Sequence, residues 1–347
     1  MIRWKFRTNL QLKFLVMGLW LVLMALGLRL VGYTTAGSVL ARLDAGQVLA
    51  LAGECLSAQS VTAATASEKV ELPEKPPDTP APAVVQEEPE PAFIPVTFTG
   101  QEAEAIAIGG SAESTVDKTS LLLSPLNMQA DTEPQVLIVH THTSEAYTPE
   151  AGWEYEATEK FRTLDPEYNV VRVGAAIAEE LEAQGVAVIH DTTVNDSPQY
   201  QGAYERSYDR IAAQLAAHPS IRIVLDIHRD AAEDAEGNAL PRRTVIRNEN
   251  CAQLMLVVGT DESGLEHPNW RENLSFALKL QALLNRDQPT LCRDLSLRRE
   301  RFNQHFTPCS LLVEVGAAGN TMAEALPAAK YLAQALAALI QGTRQTV

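Results

Sequence analysis

Two short strings hold the polar residues best suited to chemistry. HTHTSEAY at 140–147 carries His140, His142, Glu145 and Tyr147, and DIHRD at 226–230 carries Asp226, His228, Arg229 and Asp230. A further carboxylate, Glu314, sits in VEVG. Two histidines and one carboxylate are a common catalytic zinc set that keeps a fourth position for water. A second carboxylate outside that set can take the water's proton and later return it to a leaving amine. The residues therefore point to His142, Glu145 and His228 as zinc ligands and Glu314 as the acid–base group. His142 and Glu145 form H-x-x-E, a spacing that lets both reach one ion from a tight loop or first helical turn. Glu167, Glu154 and Glu156 compete with Glu145 for the second ligand position. An apolar strand around Glu314 would raise its pKa through desolvation, as its role requires. His140 could bond to backbone, orient His142, join the metal ligands or contact substrate. Arg229, Arg293, Asn303 and Gln304 could place donors around an amide carbonyl or a peptide carboxylate. Ser144 lacks a G-x-S-x-G elbow, which disfavours a serine hydrolase.

These groups need a scaffold that brings distant segments together. VLIV at 136–139 and VAVI at 186–189 read as buried strands, separated by a helix with Val170, Val173, Ile177 and Leu181 on one face and Gly185 as its stop. A helical run over 200–217 leads to the strand IRIVLDI at 221–227. A strand over 252–260, a helix over 270–285 and the strand LLVEV at 311–315 follow. A last helix opens with a capping box formed by Thr321 and Glu324. The alternation predicts an α/β domain with an open, mostly parallel sheet flanked by helices. In such sheets the carboxyl ends of the strands meet at the ligand crevice, which is where the polar strings fall. The chain shows no internal repeat and no glycine-rich phosphate loop.

The rest of the 347 residues reads as an approach to that domain. Basic residues over 1–13 precede an apolar run, and 14–33 reads as a transmembrane anchor that leaves the remainder outside the cytoplasmic membrane. A cleaved signal peptide is the rival reading, since TTAGS at 34–38 could serve a processing enzyme. An extracytoplasmic stalk and linker spans 34–102; its eight prolines between Pro73 and Pro95, mixed with acidic residues, predict a disordered spacer. Residues 103–134 read as an irregular lead-in and 135–342 as the catalytic domain. The formal net charge of −16 argues against nucleic acid, whose affinity comes from neutralising phosphates. Four cysteines without a C-x-x-C pair give no thiolate zinc site, though Cys292 and Cys309 could form a disulfide in an extracytoplasmic domain.

Several long strings together resemble the stage II sporulation protein P family. They are VLIVHTHTSEAY at 136–147, NVVRVGAAIAEELEAQG at 169–185, DIHRDA at 226–231, LVVGT at 256–260, HPNWRENLSFALKLQ at 267–281 and RRERFNQHFTPCSLLVEVGAAGNTMAEAL at 298–326. The resemblance implies an amidase-like fold related to the zinc-dependent N-acetylmuramoyl-L-alanine amidases. It implies cleavage of the amide between muramic acid and L-alanine in peptidoglycan, with an added endopeptidase activity on peptide cross-links. It further implies action at the septal or engulfing membrane in wall thinning and forespore engulfment, alongside the stage II sporulation proteins D and M. His142, His228 and Glu314 match the amidases' first and second histidines and catalytic glutamate. Asp226 stands where those relatives have serine, and Glu145 lies closer to the first histidine than their second ligand usually does. A metallo-endopeptidase acting only on cross-links, or a noncatalytic scaffold that binds the cell wall, are the alternatives.

Overall fold

A computed structural model describes residues 96–126 and 133–343. Among these residues nine strands are joined by six helices. In chain order these are α1 (Gly100–Ala105), β1 (Ile108–Gly110), α2 (Lys118–Leu123), β2 (Val136–Val139), α3 (Val170–Ala183), β3 (Val188–His190), α4 (Ala203–Ala217), β4 (Ile223–Asp230), β5 (Arg243–Ile246), β6 (Glu249–Ala252), β7 (Leu254–Gly259), α5 (Trp270–Asp287), β8 (Leu295–Arg298), β9 (Cys309–Ala317) and α6 (Met322–Thr343). A single turn of 3₁₀ helix, Gln304–Phe306, precedes β9.

Seven strands form one sheet in the order β1-β8-β7-β9-β4-β2-β3. Every pair is parallel except β7 with β9. That exception has a local cause. A parallel neighbour needs a long crossover to carry the chain back to the starting edge. Between β4 and β7 the chain instead folds the β5–β6 hairpin, with Arg247 and Asn248 at positive φ in its turn, and enters β7 from the edge at which β4 ended.

The two faces of the sheet are covered unequally. Ile223, Leu225 and Ile227 of β4 and Leu311, Val313 and Val315 of β9 belong to the main core, with α3, α5 and α6 packed on that side. The opposite face has a small core in which Leu137, Val139 and Val224 meet Ile211 and Leu215 of α4, with Phe306 alongside. Side chains alternate along a strand. Asp226, His228 and Glu314 therefore share the thinly covered face.

Helix α3 starts where Asn169 accepts the Val171 N–H and ends at Gly185, whose φ of 75° a residue with a Cβ adopts poorly. Its Gly174 lies directly on the strands: a Cβ there would be 2.6 Å from His140 Nε2 and 2.8 Å from His190 Nε2. At the end of β3, Asp191 accepts from Arg210 and Gln214 of α4, which ties that helix to the sheet.

Several expectations are corrected. The fold is an α/β domain of mixed strand direction: among the described residues no helix is long and apolar enough to cross a membrane. The residues read as an anchor, 14–33, lie outside those described, as do the basic segment 1–13 and the linker up to residue 95. The single-pass membrane localisation drawn from that anchor is set aside with it. The segment 103–134 is not simply irregular. Thr99 and Glu102 cap α1 reciprocally, β1 adds a parallel strand to β8, and Lys279 of α5 donates to Leu121 O at the end of α2. These elements are too short for a periodic signal. Cys251, Cys292 and Cys309 are free thiols, so the Cys292–Cys309 disulfide is not present.

Gly174→Ala should lower the urea midpoint by the equivalent of about 1–3 kcal/mol, the usual cost of overfilling a packed site. A midpoint equal to wild type would show that the two histidine rings yield without cost. Burial works against the Asp191 carboxylate, but bonds from Arg210, Thr193 and Gln214 outweigh it and hold its pKa at about 2. A folded pKa below the unfolded value gives stability that is present above about pH 4 and lost as the pH falls toward 2. The stability difference between wild type and Asp191→Asn, followed by urea titration, should therefore be constant above pH 5 and shrink between pH 4 and 2.

Candidate active site

At the carboxyl end of β2 the chain turns sharply through His140–Glu145 and is buried throughout. The loop after β3 fixes this turn. Asn195 donates to His140 O, and Asp196 accepts both the N–H and the Oγ–H of Ser144. Arg162 bridges Asp196 and Ser144 from a third segment. His142 thus projects from a backbone held on two sides. Its ring stacks on Tyr200 and meets His228 edge-on, with ring centroids 5.2 Å apart.

Glu145 and His228 are in contact. Glu145 Oε2 is 3.4 Å from His228 Nδ1 and accepts the Arg229 N–H at 3.2 Å. The guanidinium groups of Arg229 and Arg162 stand 3.7 and 3.8 Å from Glu145 Oε1. Burial opposes the charge on Glu145, yet the facing His228 ring and the charge of Arg229 hold its pKa at about 2. On its other side, His228 Nε2 lies 3.0 Å from Asp226 Oδ1. Asp226 in turn accepts the N–H and Oγ–H of Thr141 at 2.8 and 2.6 Å. Burial disfavours the His228 imidazolium, but Asp226 and then Glu145 outweigh it and raise the pKa well above the ordinary value. For His142 burial wins, with the charge of His228 adding to it, and the pKa falls to about 4.

Glu314 lies directly beside His228, because the parallel register of β4 and β9 pairs the two residues. Its Oε2 is buried and has no hydrogen-bond partner. Burial pushes its pKa up to about 8, against the pull of the His228 charge. Two carboxylates in one site, Glu145 and Glu314, are thus driven in opposite directions. Such a division separates a group that stays charged from one that exchanges a proton.

The site brings His142, Glu145, His228 and Glu314 together. Of the four competing glutamates Glu145 is the one at His228; Glu154, Glu156 and Glu167 are exposed. His140 faces elsewhere, with Nδ1 at Ile227 O and Nε2 2.9 Å from His190 Nε2. Arg229 has its donors committed to Ala146 O, Phe161 O and Glu145, so it braces the turn. Arg293 is paired with Asp230 at the same edge of the sheet. Asn303 donates to Tyr204 O and Ser207 Oγ, while Gln304 accepts from Gly259 N–H and donates to Val257 O, a structural bond at β7. Sequence reasoning passed over Tyr200, Asp196 and Arg162, which lie in irregular loops without periodicity. Asp226 was legible only as two residues from His228, hence on the same strand face.

Among the described residues no group of three or more His, Cys, Asp or Glu side chains is arranged to hold a metal ion as it stands. The donor chemistry nonetheless suits one. His142 Nδ1 is buried without a partner, like Glu314 Oε2, and Glu145 is too far from His228 Nδ1 for a short hydrogen bond.

A family model described as stage II sporulation protein P matches residues 56–337. Stage II sporulation protein P of Bacillus subtilis (strain 168) is 28% identical over 209 residues, which are 57% of this chain and 49% of that protein. The chain therefore spans about half the length of this curated relative. Solved structures with some likeness include N-acetylmuramoyl-L-alanine amidase AmiC2 of Nostoc punctiforme, at 13% identity, covering 60% of this chain and 94% of that one, TM-score 0.33. Another is the amidase Ami1 of Mycobacterium smegmatis, at 14% identity, covering 61% and 96%, TM-score 0.34. Likeness at this level carries no argument about activity. The family match covers most of the chain and contains every residue of the site just described: this chain belongs to the stage II sporulation protein P family.

Proposed function

We propose that the chain is a zinc-dependent peptidoglycan hydrolase, with residues 135–342 and the lead-in elements docked on them as its catalytic unit. The bond it cleaves is the amide between muramic acid and L-alanine, with peptide cross-links as a second target. Its setting is wall thinning and engulfment in sporulation, with the stage II sporulation proteins D and M as partners. Family membership supports the setting. The chemistry is supported chiefly by one observation: Glu314, with an unpartnered buried oxygen, stands beside His228 in the cluster that also holds His142 and Glu145.

In this reading His142, Glu145 and His228 hold the zinc ion. When bound, zinc supplies Lewis acidity, which polarises an amide carbonyl and lets water lose a proton near neutral pH. The chain's own groups do the remainder. Arg229 and Arg162 fix Glu145, so that its carboxylate stays charged and in place. Asp226 does the same for His228, an outer carboxylate of the kind that orients ligating histidines. Glu314 takes a proton from the attacking water at Oε2 and hands it to the leaving nitrogen. Its raised pKa makes it a proton donor as well as an acceptor close to neutral pH.

The test is product mass spectrometry on purified peptidoglycan with the zinc-loaded chain. Free stem peptides support the amidase; split cross-links alone move the assignment to a metallo-endopeptidase. Wall binding without products, with the partner proteins present, would replace the enzyme by a scaffold. Glu314→Gln should retain zinc and lose activity by about 10²–10⁴-fold, the span typical of a lost acid–base group. His142→Ala should lose the zinc itself, measured by metal analysis. A Glu314→Gln protein as active as wild type would remove that residue from the chemistry.

A further inference from the structure

His142 has one partnered nitrogen and one bare one. Its Nε2 is 2.9 Å from the Tyr200 hydroxyl, and its Nδ1 is buried with nothing to bond to. Tyr200 lies nearly parallel to the imidazole, at 13° with ring centroids 4.3 Å apart, and the Arg162 guanidinium sits 5.0 Å from the centre of the tyrosine ring. Three side chains from three segments are thus layered, which leaves the His142 ring little freedom to flip. Tyr200 itself is 50% exposed, so its phenolic proton can point to water.

A neutral imidazole carries one N–H and one lone pair, and the bond made by one nitrogen decides the state of the other. If the Tyr200 hydroxyl donated to Nε2, the proton would sit on Nδ1 as a buried donor without an acceptor. Buried orphan N–H groups are rare and costly. The opposite polarity avoids this. We infer that Tyr200 is a positioning residue, whose phenol oxygen accepts the Nε2 proton of His142 and so keeps the Nδ1 lone pair free to meet a cation. His228 differs: its Nδ1 is turned to Glu145, and its Nε2, though 3.0 Å from Asp226 Oδ1, makes no hydrogen bond.

This inference rests on the zinc reading for its affinity arm only; the tautomer can be read without metal. The full chain, labelled with ¹⁵N-histidine and freed of zinc, is studied near neutral pH by long-range proton–nitrogen correlation. The His142 signal is assigned by its loss in His142→Ala. Wild type should show the Nε2–H tautomer, and Tyr200→Phe, which keeps the stacked ring, should shift toward Nδ1–H. In competition with a chromophoric chelator, Tyr200→Phe should bind zinc about 10–100-fold more weakly, the usual effect of removing an outer partner of a ligating histidine. Its urea midpoint should match wild type, which separates positioning from folding. An Nδ1–H tautomer in wild type overturns the inference, whatever the variant does. So does a Phe variant with wild-type tautomer and wild-type zinc affinity. Should wild type take up no zinc, the metal reading falls, and the tautomer of wild type alone decides the role of Tyr200.

Discussion

The Glu145 carboxylate is a charge placed at the sheet's carboxyl edge where water scarcely reaches. A charge in such a place must be compensated or it destabilises the fold. Compensation comes from three directions: the Arg229 backbone and guanidinium, the Arg162 guanidinium and the His228 ring. His228 and Arg229 belong to β4 and Arg162 to the loop before α3, so satisfying one carboxylate fixes the turn after β2, the end of β4 and that loop against each other. The geometry of the site follows from that requirement. His142 is positioned because the turn is, and Glu314 because β9 pairs with the strand that carries His228.

Unequal covering of the sheet puts these groups on its thinner side. Three helices bury one face under the main core, whereas α4 and a few apolar side chains shield the other. Strand alternation then sorts the residues of β4 without further instruction. Ile223, Leu225 and Ile227 anchor the strand in the thick layer, and Asp226 and His228 fall on the thin side. One strand thus serves both the core and the polar cluster through its two-residue period.

Much of this was legible in the residues. The long central elements carry strong periodic or apolar signals, and β2, α3, β4, α5 and β9 lie close to where patterning placed them. The four residues assigned to the chemistry also converge, because each sits at or just past the end of a strand pointing the same way. What escaped detection was short or irregular. Strand β1 contributes three residues, two of them glycine, and takes its form from the edge of β8. The β5–β6 hairpin, with no helical crossover, turned β7 antiparallel against the expected trend. Tyr200, Asp196 and Arg162 act through loops whose conformation depends on long-range hydrogen bonds, and no local pattern encodes those.

Strand β1 also bears on how copies of this chain behave toward one another. An unpaired strand margin is a template on which another chain can add. Among the described residues β1 covers β8 on one side, and the opposite margin is β3, also three residues long. Both margins of a seven-stranded sheet are therefore too brief to offer a continuous row of backbone donors and acceptors. A strand of one isoleucine and two glycines thus leaves little backbone edge for a second chain to extend.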